Sequence, residues 1–189
     1  RVTMPETPGV FPLLALGERS NLRCGVVLRS NPSLGLPDLA PQTDQWTGAL
    51  DFTQDKKLRA QKPLALRSAD NTISIALTGP APKYTWGLND RFYPYRDPYW
   101  VERGQRVEMV ITNPTPMGHP MHLHGHEFQI LELNGEPLSG ALRDTVMVPK
   151  GGSCRIAFDA NNPGVWAFHC HIAYHLSLIH ISEPTRPSS

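Results

Sequence analysis

The chain has 189 residues, 40% of them hydrophobic, and a net charge of +1, which is enough chain to bury a core in one or two domains. No dense basic run points to a nucleic-acid partner, and no stretch of about 18 apolar residues would cross a membrane as a helix. The sequence opens at Arg1 with no visible signal peptide and is read as starting within a longer protein.

Residues 1–30 carry two strand-like segments, Val10–Leu16 and 22–28, divided by Gly17-Glu-Arg-Ser. Two or three strands cannot close a sandwich, and an isolated hairpin is marginal in water, so this part reads as the tail of a domain that begins elsewhere. Residues 31–62 turn irregular, with Pro32, Gly35, Pro37, Pro41 and Gly48 followed by the polar run Gln54-Asp-Lys-Lys. They read as an interdomain linker, either bracing its neighbours or lying on the surface as a loop.

From Pro63 onward the hydrophobic period is two. Ile73, Ile75 and Leu77 share one face, as do Val107, Met109 and Ile111, and again Cys154, Ile156 and Phe158. Turn formers punctuate the runs at Gly79-Pro, Asn113-Pro, Asn134-Gly, Lys150-Gly-Gly and Asn162-Pro-Gly. Short strands at this spacing, with no amphipathic helix, predict an antiparallel β-sandwich. Of the three cysteines, Cys24, Cys154 and Cys170, alternation places Cys154 on an apolar face as a small hydrophobe. A Cys24–Cys154 disulfide is the alternative in an oxidising compartment.

All eight histidines lie between positions 119 and 180. One group is His119-Pro-Met-His122-Leu-His124-Gly-His126; the other lies in Trp166-Ala-Phe-His169-Cys170-His171-Ile-Ala-Tyr-His175. In an extended backbone, His169 and His171 point one way and Cys170 the other, and His122 and His124 share a face in the same manner. One segment thus presents a thiolate to one site and two imidazoles to a second, the arrangement needed to pass an electron between two metal centres. Two histidines and a cysteine form the equatorial set of a blue-copper site. Zinc also takes such ligands, but a structural zinc site closes with four and leaves the other histidines unexplained, so copper is favoured.

The two motifs, H-x-x-H-x-H and H-C-H-x-x-x-H, resemble the C-terminal copper motifs of the multicopper oxidases, the laccase-like family. The stretches Tyr84-Thr-Trp-Gly-Leu-Asn and Arg143-Asp-Thr-Val-Met-Val-Pro resemble family sequence as well. The resemblance implies an all-β, cupredoxin-like Greek-key sandwich or barrel over residues 63–175, preceded in 1–30 by the remnant of a second cupredoxin domain. By position, His119, Cys170 and His175 would hold the type 1 copper, His122 the type 2 copper, and His124, His169 and His171 the type 3 pair, with four copper ions in a full-length parent. The implied activity is one-electron oxidation of a phenol, aromatic amine or metal ion, coupled to four-electron reduction of dioxygen to water, in the periplasm or outside the cell.

Half of the cluster's eight histidines are absent from this sequence. They are expected from missing N-terminal domains of the same polypeptide bearing two His-x-His motifs, and the chain alone is expected to be inactive. A single-copper electron-transfer cupredoxin would need only His119, Cys170 and His175. A nitrite reductase-like copper protein flanks its cysteine with histidine on one side only, so the double flank favours the oxidase. Asp144 and His126 are candidates to support the ligands. The family pattern is broken twice. Tyr174 stands where some members carry a proton-supplying carboxylate, and His180 fills the axial position, five residues after His175, where members place Met, Leu or Phe. From Leu176 the agreement stops: residues 176–189 resemble translated sequencing-adaptor read-through, read as an artefactual tail whose Pro- and Ser-rich end forms no strand.

Overall fold

The alternating runs become strands in a computed structural model that describes residues 3–95, 98–175 and 179–185, the last of these by backbone alone. The chain divides into two units, Arg1–Leu50 and Asp51–Ser189.

In the first unit, β1 (Val10–Leu16) and β2 (Arg23–Arg29) pair antiparallel, from Val10↔Arg29 to Leu16↔Arg23. The irregular stretch that follows folds back on this hairpin. Pro41 O accepts from Arg23 N–H, Asn21 O from Thr43 N–H and Ser20 O from Thr47 N–H, each at 2.9 Å. The expected linker is therefore split. Residues 31–50 stay with the hairpin, while 51–62 belong to the second unit, where Phe52 joins the core and Asp55 pairs with Arg143 at 2.6 Å. A segment held by scattered backbone hydrogen bonds carries no hydrophobic period from which its allegiance could be read.

Among the described residues, the regular elements of the second unit are strands apart from short 3₁₀ turns. In order these are β3 (Asn71–Ala81), β4 (Thr85–Leu88), β5 (Arg91–Phe92), β6 (Tyr99–Glu102), β7 (Arg106–Thr112), β8 (His119–Leu123), β9 (Phe128–Leu133), β10 (Glu136–Pro137), β11 (Leu142–Arg143), β12 (Thr145–Val148), β13 (Ser153–Asp159), β14 (Trp166–Cys170) and β15 (Ile179–Thr185). One sheet runs β10-β9-β13-β7-β3-β4-β5 with β11 beside β9; the other runs β12-β8-β14-β15-β6. Of the predicted inward residues, Ile75, Leu77, Val107, Met109, Ile111, Cys154, Ile156 and Phe158 are buried and Ile73 is half-buried against the core; the largest fully buried side chains, Trp86, Phe128 and Phe168, come from both sheets.

Two details differ from the expected antiparallel sandwich. The pairs β3–β7 and β15–β6 run parallel. A parallel neighbour needs a connection that leaves the strand pair; the chain provides it by passing from β3 through β4 and β5 to β6 in the second sheet, then returning as β7. The tail also forms a strand. β15 pairs with β14 from Trp166↔Ser182 to His169↔Ile179. Composition suggested otherwise, but Ile179 and Ile181 are β-branched strand formers, and the free edge of β14 offers ladder groups that need partners. All three cysteines are free, Cys24 exposed and Cys154 buried. Burial, helped by the charges of Asp55 and Glu132, pushes the Cys154 thiol up to about 12, making it an inert hydrophobe.

Candidate metal centre

The site is built by the pairing of β8 with β14. Cys170 faces Met121, His169 faces His122 and Phe168 faces Leu123 across the two strands. Directly opposed residues share a face, and the pleat sends neighbours to opposite faces. Cys170 therefore goes inward with Met121 and Leu123, while His169 and His122 meet on the other side. His119 opens β8 on the inward face. A 3₁₀ turn, Ala173–His175, with His175 N–H bonded to Ile172 O at 2.8 Å, folds His175 back toward Cys170.

On the inward side His119, Cys170 and His175 are fully buried and converge. Cys170 Sγ lies 3.7 Å from His119 Nδ1 and 3.6 Å from His175 Nδ1, and the two nitrogens are 3.1 Å apart. The centre of such a triangle is about 2.0 Å from each corner, matching a metal–imidazole bond of roughly 2.0–2.1 Å and lying just inside a metal–thiolate bond of roughly 2.3 Å. The donor set and its spacing fit a trigonal copper site. Burial, reinforced by the charge of His175, lowers His119 to about 4, and burial lowers His175 too. Both rings are therefore neutral and ready to donate a lone pair at neutral pH. Burial raises the Cys170 thiol to about 11, against the opposing hydrogen bond from Ile172 N–H.

Residues that the motifs did not reveal orient these ligands. His119 Nε2–H donates to Thr115 Oγ1 at 2.9 Å, and Thr115 O–H donates to Asn113 Oδ1 at 2.6 Å. His175 Nε2–H donates to Tyr84 Oη at 3.3 Å. Each bond fixes the tautomer that leaves Nδ1 free, as in many metal-binding histidines. Trp86 packs behind both rings, with centroids 4.4 Å from His175 and 4.8 Å from His119. Asn113 Nδ2 also bonds Met117 O, Val148 O and Pro149 O at 2.7, 2.9 and 3.0 Å. Asn113→Ala is expected to lower stability by about 3 kcal/mol, because several buried bonds are lost and carbonyls are orphaned at roughly 1 kcal/mol or more each. The shift of the denaturation midpoint measures it. This group assembles from the turn before β4, β4 itself and the 113–117 turn; the sequence signals were the stretch beginning at Tyr84 and the turn former Asn113-Pro.

On the opposite face His122, His169 and His171 each present a ring nitrogen within 4.8 Å of one another. His124 joins them through Nε2, 2.9 Å from His169 Nε2, and the rings of His169 and His171 stack at 5.4 Å. His169 Nδ1–H donates to Cys170 O at 2.9 Å and His122 Nδ1–H to Asp144 O at 2.8 Å, leaving both Nε2 atoms for a metal. His124 and His171 are exposed. Burial first, then the charges of His122, His169 and His171, holds His124 below the usual imidazole range.

The supporting candidates divide. Asp144 acts through its main-chain oxygen; its carboxylate stands 4.0 Å from His122 and accepts from Thr145 O–H at 3.0 Å. His126 turns away from the cluster and packs against Phe158 and Trp166 at 5.1 and 6.3 Å, and its Nδ1 makes a long 3.4 Å bond to His124 O. Tyr174 is exposed. The His180 side chain lies outside the described residues, so its axial role has no structural counterpart.

Known proteins resemble this chain. The family pattern described as multicopper oxidase matches residues 67–178. Multicopper oxidase MmcO of Mycobacterium tuberculosis is 36% identical over 177 residues, covering 92% of this chain and 34% of that protein. Copper resistance protein A of Escherichia coli is 32% identical over 124 residues, covering 66% of this chain and 20% of that protein. The chain thus spans about a third or less of these relatives. Among solved structures, Fet3p, a multicopper oxidase that functions in iron import, superposes with a TM-score of 0.66 at 24% identity, covering 86% of this chain and 40% of that one. A laccase from B. aclada gives 0.67 at 21% identity, covering 84% and 36%. These likenesses show the cupredoxin fold of such oxidases. With its pattern matched over more than half of the sequence, the chain belongs to the multicopper oxidase family.

Proposed function

We propose that this chain is the C-terminal part of an oxidase that takes single electrons from a reducing substrate at the His119–Cys170–His175 set and delivers them to dioxygen at the histidine set behind it. The observation that supports this most is the shared backbone of the two sites. Cys170 belongs to one and its neighbours His169 and His171 to the other, and the Cys170 carbonyl accepts from His169 Nδ1–H at 2.9 Å. A path of covalent bonds and one hydrogen bond therefore leads from Sγ to the second site. Copper, when bound, supplies the one-electron acceptor at the first set and the oxygen-reducing cluster at the second. The chain's part is to hold neutral imidazoles in the right tautomer and to exclude water from Cys170. A lone electron-transfer cupredoxin has no use for His122, His124, His169 and His171, and a nitrite reductase-like protein would not flank its cysteine on both sides.

The reductant is a phenol, aromatic amine or metal ion, and the working location is the periplasm or the exterior. With Tyr174 where some family members carry a carboxylate, protons come from residues outside this chain or arrive more slowly. We read 1–30 as the remnant of a preceding cupredoxin domain, with the absent half of the cluster supplied by N-terminal domains, and 176–189 as a tail foreign to the family. Sequencing the source locus tests the organisation directly. Two His-x-His motifs are expected upstream, and divergence from this sequence within a few codons after His175, with a hydrophobic residue in place of His180. A locus without upstream histidine pairs would overturn the two-site reading, and codons for Ser182-Glu-Pro-Thr-Arg in that DNA would overturn the reading of the tail.

A further inference from the structure

His119, Cys170 and His175 have no exposed surface, whereas Tyr84, bonded to His175, is 49% exposed. The Tyr84 hydroxyl sits 3.3 Å from His175 Nε2, and the two rings are 5.8 Å apart. Trp86 closes the far side, edge-on to Tyr84 at 5.4 Å. The outer rim holds Met117, partly exposed, with its sulfur 3.3 Å from the same hydroxyl. An aromatic face beside a polarisable thioether suits a flat aromatic molecule better than a hydrated ion.

The backbone adds a second observation. Lys83 and Tyr84 have φ of 64° and 58°, the left-handed region that non-glycine residues, and bulky ones above all, rarely adopt. Thr85 Oγ1–H donates to Pro82 O at 3.0 Å across this turn. A costly conformation is retained where it places a side chain that matters, and here the turn sets a phenol against a buried ligand.

Resting on the reading of His119, Cys170 and His175 as a type 1 copper site, we propose that Tyr84 is the electron-entry residue, on whose exposed ring an aromatic donor stacks. In each event the donor loses one electron and, if a phenol, its hydroxyl proton to solvent. The electron would cross the Tyr84 ring and the Oη···H–Nε2 hydrogen bond to His175, which would hold the cupric ion that serves as one-electron oxidant. Tyr84 ends unchanged, with no bond formed or broken in the chain.

The test is anaerobic stopped-flow bleaching of the blue band in the copper-loaded full chain, with 2,6-dimethoxyphenol as donor. Tyr84→Phe keeps the ring and removes the hydroxyl. It is expected to slow bleaching by about tenfold or more, beyond what any change in midpoint potential accounts for, in the fraction of protein that holds copper. Tyr84→Leu should in addition raise the donor concentration needed for half-maximal rate. Nitration of Tyr84 in the folded wild type, located by peptide mapping, should slow bleaching as well, and serves if the Phe variant fails to load copper. A Phe variant that bleaches at the wild-type rate, or one whose slowing is accounted for by a fallen potential, overturns the proposal. So does unaltered bleaching after nitration. A wild-type chain with no blue band would remove the copper reading itself and this inference with it, whereas a blue wild type beside an unaltered Phe variant removes this inference alone.

Discussion

Replacing Cys170 by serine is expected to remove the visible absorption of the copper-loaded chain completely and, in a full-length parent, to stop electron delivery to oxygen. The blue colour requires a thiolate bound to copper. Cys170 is the thiol placed 3.7 and 3.6 Å from the two imidazole nitrogens. Without metal it is protonated, since burial raises it to about 11. A serine hydroxyl in the same pocket ionises far less readily, so the variant would leave a buried dication facing two neutral rings, an arrangement that burial penalises heavily. Cys24→Ser and Cys154→Ser serve as controls. Cys24 is exposed and Cys154 is an inert core thiol, so the colour should survive both. A Cys170→Ser protein that stayed blue would refute the ligand set.

The same protonation states set a pH dependence. Copper takes the thiolate, so at pH values below about 11 each ion bound at this set displaces one thiol proton. His119, lowered to about 4, is already deprotonated above that value and adds none. Affinity should therefore rise about tenfold per pH unit across the neutral range.

The chemistry of the ligands was legible because it rests on period. Alternation in 165–170 separates Cys170 from His169 and His171 without knowledge of any other strand, and the structure places them on opposite faces as that alternation requires. The strands holding Ile75, Val107 and Ile156 were legible for the same reason. What supports the ligands was not. Thr115, Asn113, Tyr84 and Trp86 reach His119 and His175 from other segments, and nothing in their local sequence distinguishes them from turn residues and core aromatics. The stretches resembling family sequence at Tyr84 and Arg143 now have physical content. One supplies Tyr84 and Trp86; the other anchors on Asp55 through Arg143 and holds His122 through Asp144 O and Thr145. The parallel pairings and β15 escaped notice because strand order depends on crossovers, and composition weighed Pro184 and the serines above Ile179 and Ile181.

This chain by itself, loaded with copper, should be blue and consume no oxygen. The inward set is complete and buried, so one copper ion per chain should resist a chelator wash. The outward set offers four imidazoles where the family's cluster uses eight, and two of them, His124 and His171, lie exposed. Metal held there exchanges with solvent ligands and should be lost to the chelator. Even where an ion lodges between His122, His169 and His171, their nitrogens, all within 4.8 Å, surround one position rather than the three that four-electron reduction requires in this family. Electrons entering at Cys170 then have nowhere to accumulate: a single reductive bleaching should occur with 2,6-dimethoxyphenol, followed by no steady turnover. An oxygen electrode and a copper count after chelation decide the matter. Sustained oxygen uptake by the purified chain, or three or more chelator-resistant copper ions, would show that residues 1–189 build a complete cluster and would overturn the half-site.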